Sequence, residues 1–531
     1  MKYPFLLLSI IILSGACKST KKLTAQNDDK INFTIVQVND VYEIAPLTGG
    51  TQGGMARVAT VKKEELKTVP NTFLVMAGDF LSPSVYNSLK YEGKRIRGKQ
   101  MVDAMNAAGF DMAIFGNHEF DINENELQQR LNESAFQWVS SNVLYKYNGN
   151  IIPFTKNTVP LPEKYVINIK DNDGTTAKIG FIGITLETPT SPYVYYKNPL
   201  ATAKKIYNEL KDSCDAIIAI THQFIADDRM LAGELPGLPA IVGGHEHDMR
   251  FEKIGNTYIT KAHSNARSAY VLKFSIDKKQ KTVKVFPELK MIDSTVAIDS
   301  AADLTVKKWT TRANENYASL GFSPSRIVIP AGDSLEGREI YTRDTATNLT
   351  ELIIKSMQYA CPQADVVINN SGSIRLDDIL YPPISEYDFL RTLPFGGSIR
   401  EVDMKGSLLK QILDVGERNK GIGGYLHYGP RITIDASKTY RVAMSDFLLT
   451  GGETGLQFLK PGNPAITKIY PEETSASDPR SDLRLAIVRY LSKWSARLPG
   501  KPVCFNSQVL NDFRQPEISS CLRKCDMIIR K

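Results

Sequence analysis

From Ile31 onward, short apolar runs rich in β-branched residues alternate with stretches of helical periodicity. Ile31–Val38, Thr72–Met76, Met112–Phe115, Lys178–Ile184, Ala216–Ile220 and Ala240–Val242 read as buried strands. Met55–Lys67, Gln100–Ala108, Glu124–Asn132 and Ala201–Lys211 lie between several of them and read as helices. Such alternation predicts helices packed around sheets in an α/β layered domain. Val306–Ala318 is polar and helical, without strand signal, and reads as a connecting helix within a linker over 296–325. A second, α+β region spans 326–501, and a tail of 502–531 carries three cysteines.

The first residues follow another pattern. Lys2 precedes an uncharged, mostly apolar run of fourteen residues, Tyr3–Ala16. A helix needs about 20 residues to cross a bilayer, so the run reads as an export signal over 1–16. Leu13-Ser14-Gly15-Ala16-Cys17 resembles a bacterial lipobox, with Cys17 as the lipidated residue and 17–30 as a polar tether. The expected location is therefore a bacterial membrane-anchored lipoprotein, periplasmic or at the cell surface. In such an oxidising compartment disulfides persist. Cys214, Cys361, Cys504, Cys521 and Cys525 remain, an odd number that leaves at least one unpaired.

At 531 residues the chain exceeds what one hydrophobic core usually serves. Its 42% hydrophobic and 23% charged residues exclude a disordered or polytopic membrane protein. A net charge of +7 without a dense basic stripe argues against nucleic acid as a partner. Five of the six histidines (His118, His222, His245, His247 and His263) fall in the first half. Local chemistry is expected there.

Each candidate strand of the first domain ends in a polar group. Asp40 follows the first and Asp79 the second. Asn117-His118 follows the third, then come His222 and His245-Glu246-His247. Ligands of α/β sheets bind beyond the carboxyl ends of strands. Carboxylate, imidazole and amide oxygen together suit zinc, manganese, cobalt or iron, and not calcium. Six such groups exceed the needs of one catalytic ion, so two divalent ions sharing a carboxylate are expected.

Asn39-Asp40, Gly78-Asp79-Phe80, Gly116-Asn117-His118-Glu119-Phe120-Asp121, Thr221-His222-Gln223 and Gly243-Gly244-His245-Glu246-His247 resemble the ordered motifs of calcineurin-like metallophosphoesterases. The resemblance is to the two-domain 5'-nucleotidase and UDP-sugar hydrolase branch and covers 31–500. It implies an N-terminal layered αββα domain over 31–295 and a C-terminal substrate-binding domain over 326–501. It implies Asp40, Asp79 and His247 at one metal, and Asp79, Asn117, His222 and His245 at the other. His118 would stabilise the transferring phosphoryl group or protonate the leaving oxygen, oriented by Asp121. His263 lies outside these motifs and is expected to pack in the core.

The second half extends the resemblance. Asn369-Asn370-Ser371-Gly372-Ser373-Ile374-Arg375, Leu393-Pro394-Phe395-Gly396-Gly397 and Phe447-Leu448-Leu449-Thr450-Gly451-Gly452-Glu453 are similar to the family's nucleoside-gripping loops. Phe395 and Phe447 would sandwich a base, unless they are core residues. Glu453 would hold a ribose hydroxyl, and Arg343, Arg375 and Asn370 would contact phosphate or sugar. One position departs from the family: its first motif is Asp-x-His, and Tyr42 stands at the histidine. A phenol suits zinc or manganese poorly, so Tyr42 is expected to be a weak ligand or none. The resulting expectation is a binuclear phosphohydrolase of nucleotides. A 2',3'-cyclic-nucleotide phosphodiesterase, a UDP-sugar hydrolase and a non-catalytic nucleotide-binding lipoprotein are the alternatives.

Overall fold

The computed structural model describes residues 27–188, 191–496 and 504–505. Cys17, the apolar run before it, Cys521 and Cys525 lie outside the described residues. The first strand, β1 (Lys30–Val38), sets the layering. Its Ile31, Phe33 and Ile35 join the core between two sheets, while Val36 and Val38 join the core beneath helices. Strands β2 (Thr72–Met76), β3 (Met112–Ala113) and β4 (Gln137–Trp138) follow in parallel. They are reached through α1 (Met55–Thr68), α2 (Lys99–Ala108) and α3 (Glu124–Glu133).

A second sheet contains β5 (Lys164–Lys170), β6 (Thr176–Thr185), β7 (Ala216–His222), β8 (Ala240–Gly244), β9 (Arg250–Ile254) and β10 (Thr257–Lys261). Their order is β5-β6-β7-β8-β10-β9, and β6, β7, β8 and β10 run parallel. The crossover helices are α4 (Pro199–Leu210) and α5 (Ile225–Glu234). Asn198 starts α4 by accepting the Ala201 N–H at 2.9 Å, with Pro199 in the first turn where its missing N–H costs nothing. The chain then returns to the first sheet as β11 (Ser268–Asp277) and β12 (Thr282–Met291), antiparallel beside β1. The two sheets pack face to face over a shared apolar layer, into which Phe33 and its neighbour-strand partner Phe274 both point, and helices cover both outer faces. This is an αββα sandwich.

Helix α6 (Ser300–Ser319) is longer than its sequence pattern indicates and does more than connect. Val306, Trp309, Ala313 and Tyr317 enter the core of the first domain. Trp309 donates its indole N–H to Asp103 at 3.1 Å, and the Tyr317 hydroxyl donates to the Val85 carbonyl at 2.7 Å. The same apolar cluster continues into Leu390, Leu485 and Val488 of the second domain, so the two domains share a buried seam.

The second domain is built on α7 (Asn348–Ala360), β13 (Val366–Asn370), α8 (Glu386–Thr392), β14 (Ile399–Lys405), α9 (Gly406–Arg418), β15 (Leu426–Gly429), β16 (Thr439–Ser445), β17 (Ile466–Ile469) and α10 (Leu483–Ala496). The sheet order is β15-β13-β16-β14-β17. Helices α7 and α10 pack on one face and α9 on the other, because residues of β13 alternate between two clusters. Cys504–Phe505 pairs in parallel with Ala331–Gly332, which ties the start of the C-terminal segment to this domain. Cys214 and Cys361 are free thiols. Among the described residues no helix is long and apolar enough to cross a membrane.

Candidate active site

Strands β1, β2 and β3 deliver Asp40, Asp79 and Asn117 just past their carboxyl ends, and β7 and β8 deliver His222 and His245. Asp40 and Asp79 both sit in left-handed backbone, at φ 53° and 57°, a conformation that costs a non-glycine residue energy. The turns that hold them are crowded. A Cβ on Gly116 would lie 2.1 Å from Asp79 Oδ1, and one on Gly78 (φ 81°) 2.6 Å from His222 Nδ1. Glycine at both positions lets the β2 and β3 loops close onto the β7 edge.

Asp40 Oδ1, Asn117 Oδ1 and His222 Nε2 are buried without a hydrogen-bond partner. An unsatisfied buried polar atom costs about 1–3 kcal/mol, so such a cluster needs a reason. Asp40, Asp79 and His222 offer ligand atoms that all lie within 4.8 Å of one another. His222 Nδ1–H donates to the Ala77 carbonyl at 2.8 Å, which turns Nε2 toward Asp79 Oδ2 at 3.1 Å. Burial opposes charge there, but Asp79 and Asp40 outweigh it and push the imidazole up to about 9, so an ion at Nε2 would displace a proton. His245 is held at φ 91°, and its backbone N–H donates to Asp40 Oδ2 at 3.0 Å. Burial, reinforced by His222, pushes its imidazole down to about 3 and keeps its lone pair available. These donors fit divalent ions bound between carboxylate, amide oxygen and neutral imidazole.

His247 also reaches Asp40, with Nε2 3.7 Å from Oδ1. Tyr42 does stand at this centre. Its hydroxyl lies 3.3 Å from Asp79 Oδ2 and 3.1 Å from His247 Nε2. Burial, with Asp79 and Asp40 adding to it, raises the phenol far above its ordinary range, so the ring is neutral.

His118 is not among the close-packed ligand atoms. Its backbone N–H donates to Asp79 Oδ1 at 2.8 Å, and its Nδ1 lies 2.8 Å from Asp121 Oδ2. Ser82 also donates to that Asp121 oxygen, at 3.2 Å. Burial opposes charge on His118, but Asp121 and Asp79 outweigh it and push the imidazole up to about 10.

In the second domain Phe395 and Phe447 are 56% and 46% exposed, so neither is a core residue. Arg375 lies over the Phe395 ring at 5.6 Å and lines a cleft with Tyr42, Glu43, Pro83 and Pro394. Arg343 and Arg375 both pair with Glu339, the latter at 3.7 Å. Glu453 is buried and accepts the Asn370 amide N–H at 2.7 Å, and Asn370 Oδ1 has no partner. His263 is only partly buried and bonds Ser268 Oγ at 2.9 Å, so it is not a fully packed core residue.

The N-terminal domain matches the calcineurin-like phosphoesterase family over residues 33–249. The second matches the 5'-nucleotidase C-terminal domain over 330–438. The chain carries the two-domain architecture of the 5'-nucleotidase family. Over 508 residues it is 23% identical to the 5'-nucleotidase of Bos taurus, spanning 81% of this chain and 84% of that protein. It shares the fold of the 5'-nucleotidase precursor from Thermus thermophilus, with a TM-score of 0.62, 21% identity, and coverage of 87% and 97%. The 5'-nucleotidase from Candida albicans gives a TM-score of 0.59 at 12% identity, over 88% and 98%.

Within this 5'-nucleotidase architecture, several supports of the site escape a motif reading. Glu119 accepts the backbone N–H groups of Asp79, Phe80, Leu81 and Gly116 at 2.6–3.0 Å, fixing two ligand loops with one carboxylate. Its place inside Asn-His-Glu-Phe-Asp was the available signal. Lys261, fully buried, donates to the Gln223 carbonyl at 2.6 Å, pairs with Asp228 at 2.9 Å and contacts Glu246. It thereby ties the His222 loop to the His245–His247 loop. Nothing in its sequence surroundings marks it.

Proposed function

We propose that the chain is a binuclear-metal phosphohydrolase releasing phosphate from nucleotides. The observation that carries this reading is the convergence of ligand atoms of Asp40, Asp79 and His222, with the buried Asn117 Oδ1 unpartnered, together with the His118–Asp121 pair. Asp40, Asp79 and His247 would hold one ion, and Asp79, Asn117, His222 and His245 the other. Zinc, manganese and cobalt suit this donor set, with iron as an alternative. Bound there, two divalent ions supply Lewis acidity to phosphate oxygens and make water nucleophilic near neutral pH.

The protein's own groups do the rest. His118, kept charged by Asp121, stands to donate a proton to the leaving oxygen or to stabilise the transferring phosphoryl group. Arg375 and Arg343 place positive charge for phosphate or sugar. Exposed Phe395 and Phe447 offer faces to a base, and Glu453 with Asn370 offers hydrogen bonds to a ribose. Export and lipid anchoring at Cys17 complete the proposal, supported by the Tyr3–Ala16 run and the residues that follow it.

The test is phosphate release from nucleoside mono-, di- and triphosphates, 2',3'-cyclic nucleotides and UDP-glucose. Release from nucleoside phosphates should stop with chelator and return with manganese or zinc. Preference for cyclic nucleotides or UDP-glucose would assign the alternative substrate. Nucleotide binding without turnover under every metal would sink the enzymatic reading.

Two further outcomes are expected. Base stacking is worth about 1–3 kcal/mol, so Phe447→Ala should raise KM for nucleotides about 5- to 150-fold. Hydrolysis of p-nitrophenyl phosphate, which has no base to stack, should barely change. An equal loss on both substrates would remove the base clamp. Tyr42→His replaces a neutral phenol with an imidazole that binds these ions without an unfavourable deprotonation. The variant should therefore retain its more weakly held metal at higher chelator concentrations than wild type. Unchanged or poorer retention, or a phenolate-to-iron absorption band in the iron-loaded wild type, would make Tyr42 a true ligand.

A further inference from the structure

We propose that Asp377, in the second domain, is the positioning residue for His247, so that one metal position is completed only where the two domains dock. This rests on the metal-centre reading above. His222 takes its orientation from its own domain, through the Ala77 carbonyl. His247 does not. Its Nδ1 lies 3.1 Å from Asp377 Oδ2 and 3.3 Å from the Asp377 carbonyl oxygen, across 130 residues of chain. An Nδ1–H donated there fixes the tautomer that leaves Nε2, facing Asp40 and Tyr42, free to ligate.

The carboxylate is itself held firmly. Its Oδ1 accepts the Glu339 backbone N–H at 2.6 Å, and Asp377 sits in left-handed backbone at φ 40°. A non-glycine residue keeps that conformation only where its surroundings enforce it. Polar contacts between the domains flank it: Arg267 to Asp378 at 3.1 Å, and Tyr387 to the buried Glu43. Asp377 lies two residues beyond Arg375, which lines the cleft with Tyr42. One loop therefore carries both a substrate-binding candidate and the outer partner of a metal ligand. The two metal positions differ in kind: His222 is supported within one domain, His247 across two.

The test is metal content per chain, by elemental analysis of the full-length protein equilibrated against a chelator series. Removing an outer partner of a ligating histidine costs about 10- to 100-fold in metal affinity. Asp377→Ala, which leaves His247 Nδ1 only the Asp377 carbonyl oxygen at 3.3 Å, should release one metal at up to about 10- to 100-fold lower chelator and leave the other where wild type holds it. Asp377→Asn, which keeps an acceptor without the charge, should fall between. Arg267→Gln removes one neighbouring polar contact, leaves the buried seam that docks the domains and does not touch His247, so it should retain both metals. In a His247→Asn background Asp377→Ala should add nothing, since its route of action is already gone. Retention by Asp377→Ala equal to wild type, equal loss from both positions, loss in Arg267→Gln, or additive loss in the double variant overturns the inference. A wild-type chain that holds no metal overturns the metal reading itself, and this inference with it.

Discussion

His118→Ala is expected to lower kcat by about 10²- to 10⁴-fold and to leave metal content and KM near wild type, the range typical of a positioned acid or charge-stabilising group. The reason is the division of labour within one residue. The His118 backbone N–H supports Asp79 Oδ1 at 2.8 Å, a contact that alanine preserves. Its ring faces Asp121 and stands apart from the three residues whose ligand atoms cluster. Asp121→Asn should act in the same direction and more weakly, because an amide can still orient the ring but cannot hold its charge. Single-turnover phosphate release combined with metal analysis separates the cases. Loss of metal together with activity would make His118 a ligand and refute the assignment.

The strand ends were legible because they obey a local rule. A buried apolar run stops, a polar residue follows, and parallel packing brings the ends to one edge. Asp40, Asp79, Asn117, His222 and His245 all follow it, and each lies where its strand delivers it. Tyr42 could be placed at the centre by the resemblance of its motif, but the strength with which burial beside Asp79 and Asp40 keeps it neutral is not something a motif reports. Helix α6 looked like a polar connector because its apolar residues are spread thinly among charges. Only the packed α1–α2 surface shows why Trp309 and Tyr317 are there. Phe395 and Phe447 could not be divided between core and surface from sequence, since both readings need the same residue type. Asp377 is the extreme case: its partner is 130 residues away, and nothing near it in sequence distinguishes it from a turn aspartate.

Asp79→Asn is expected to have the largest effect of any single change. Burial disfavours the Asp79 carboxylate, yet His222 and His118 hold it well below the usual range, so it is ionised at neutral pH. Both of its oxygens are engaged: Oδ1 accepts the His118 N–H at 2.8 Å, and Oδ2 lies 3.1 Å from His222 Nε2. Asparagine has nearly the same shape, and Glu119 still receives the backbone N–H of residue 79 at 2.9 Å, so the loop should fold. What is lost is the one charge that two ions could share. Metal content should fall from two ions to at most one, and kcat/KM by about 10³-fold or more, since Lewis-acid stabilisation is worth several kcal/mol. Stability gives an independent readout. Two ions each present at about 100 times Kd add about 5 kcal/mol, so chelation should lower the wild-type Tm by about 5–10 °C. The Asp79→Asn chain should start nearer the chelated wild type and respond much less to chelator. A variant that keeps two metals and the full chelator-induced drop in Tm would show that Asp79 bridges nothing.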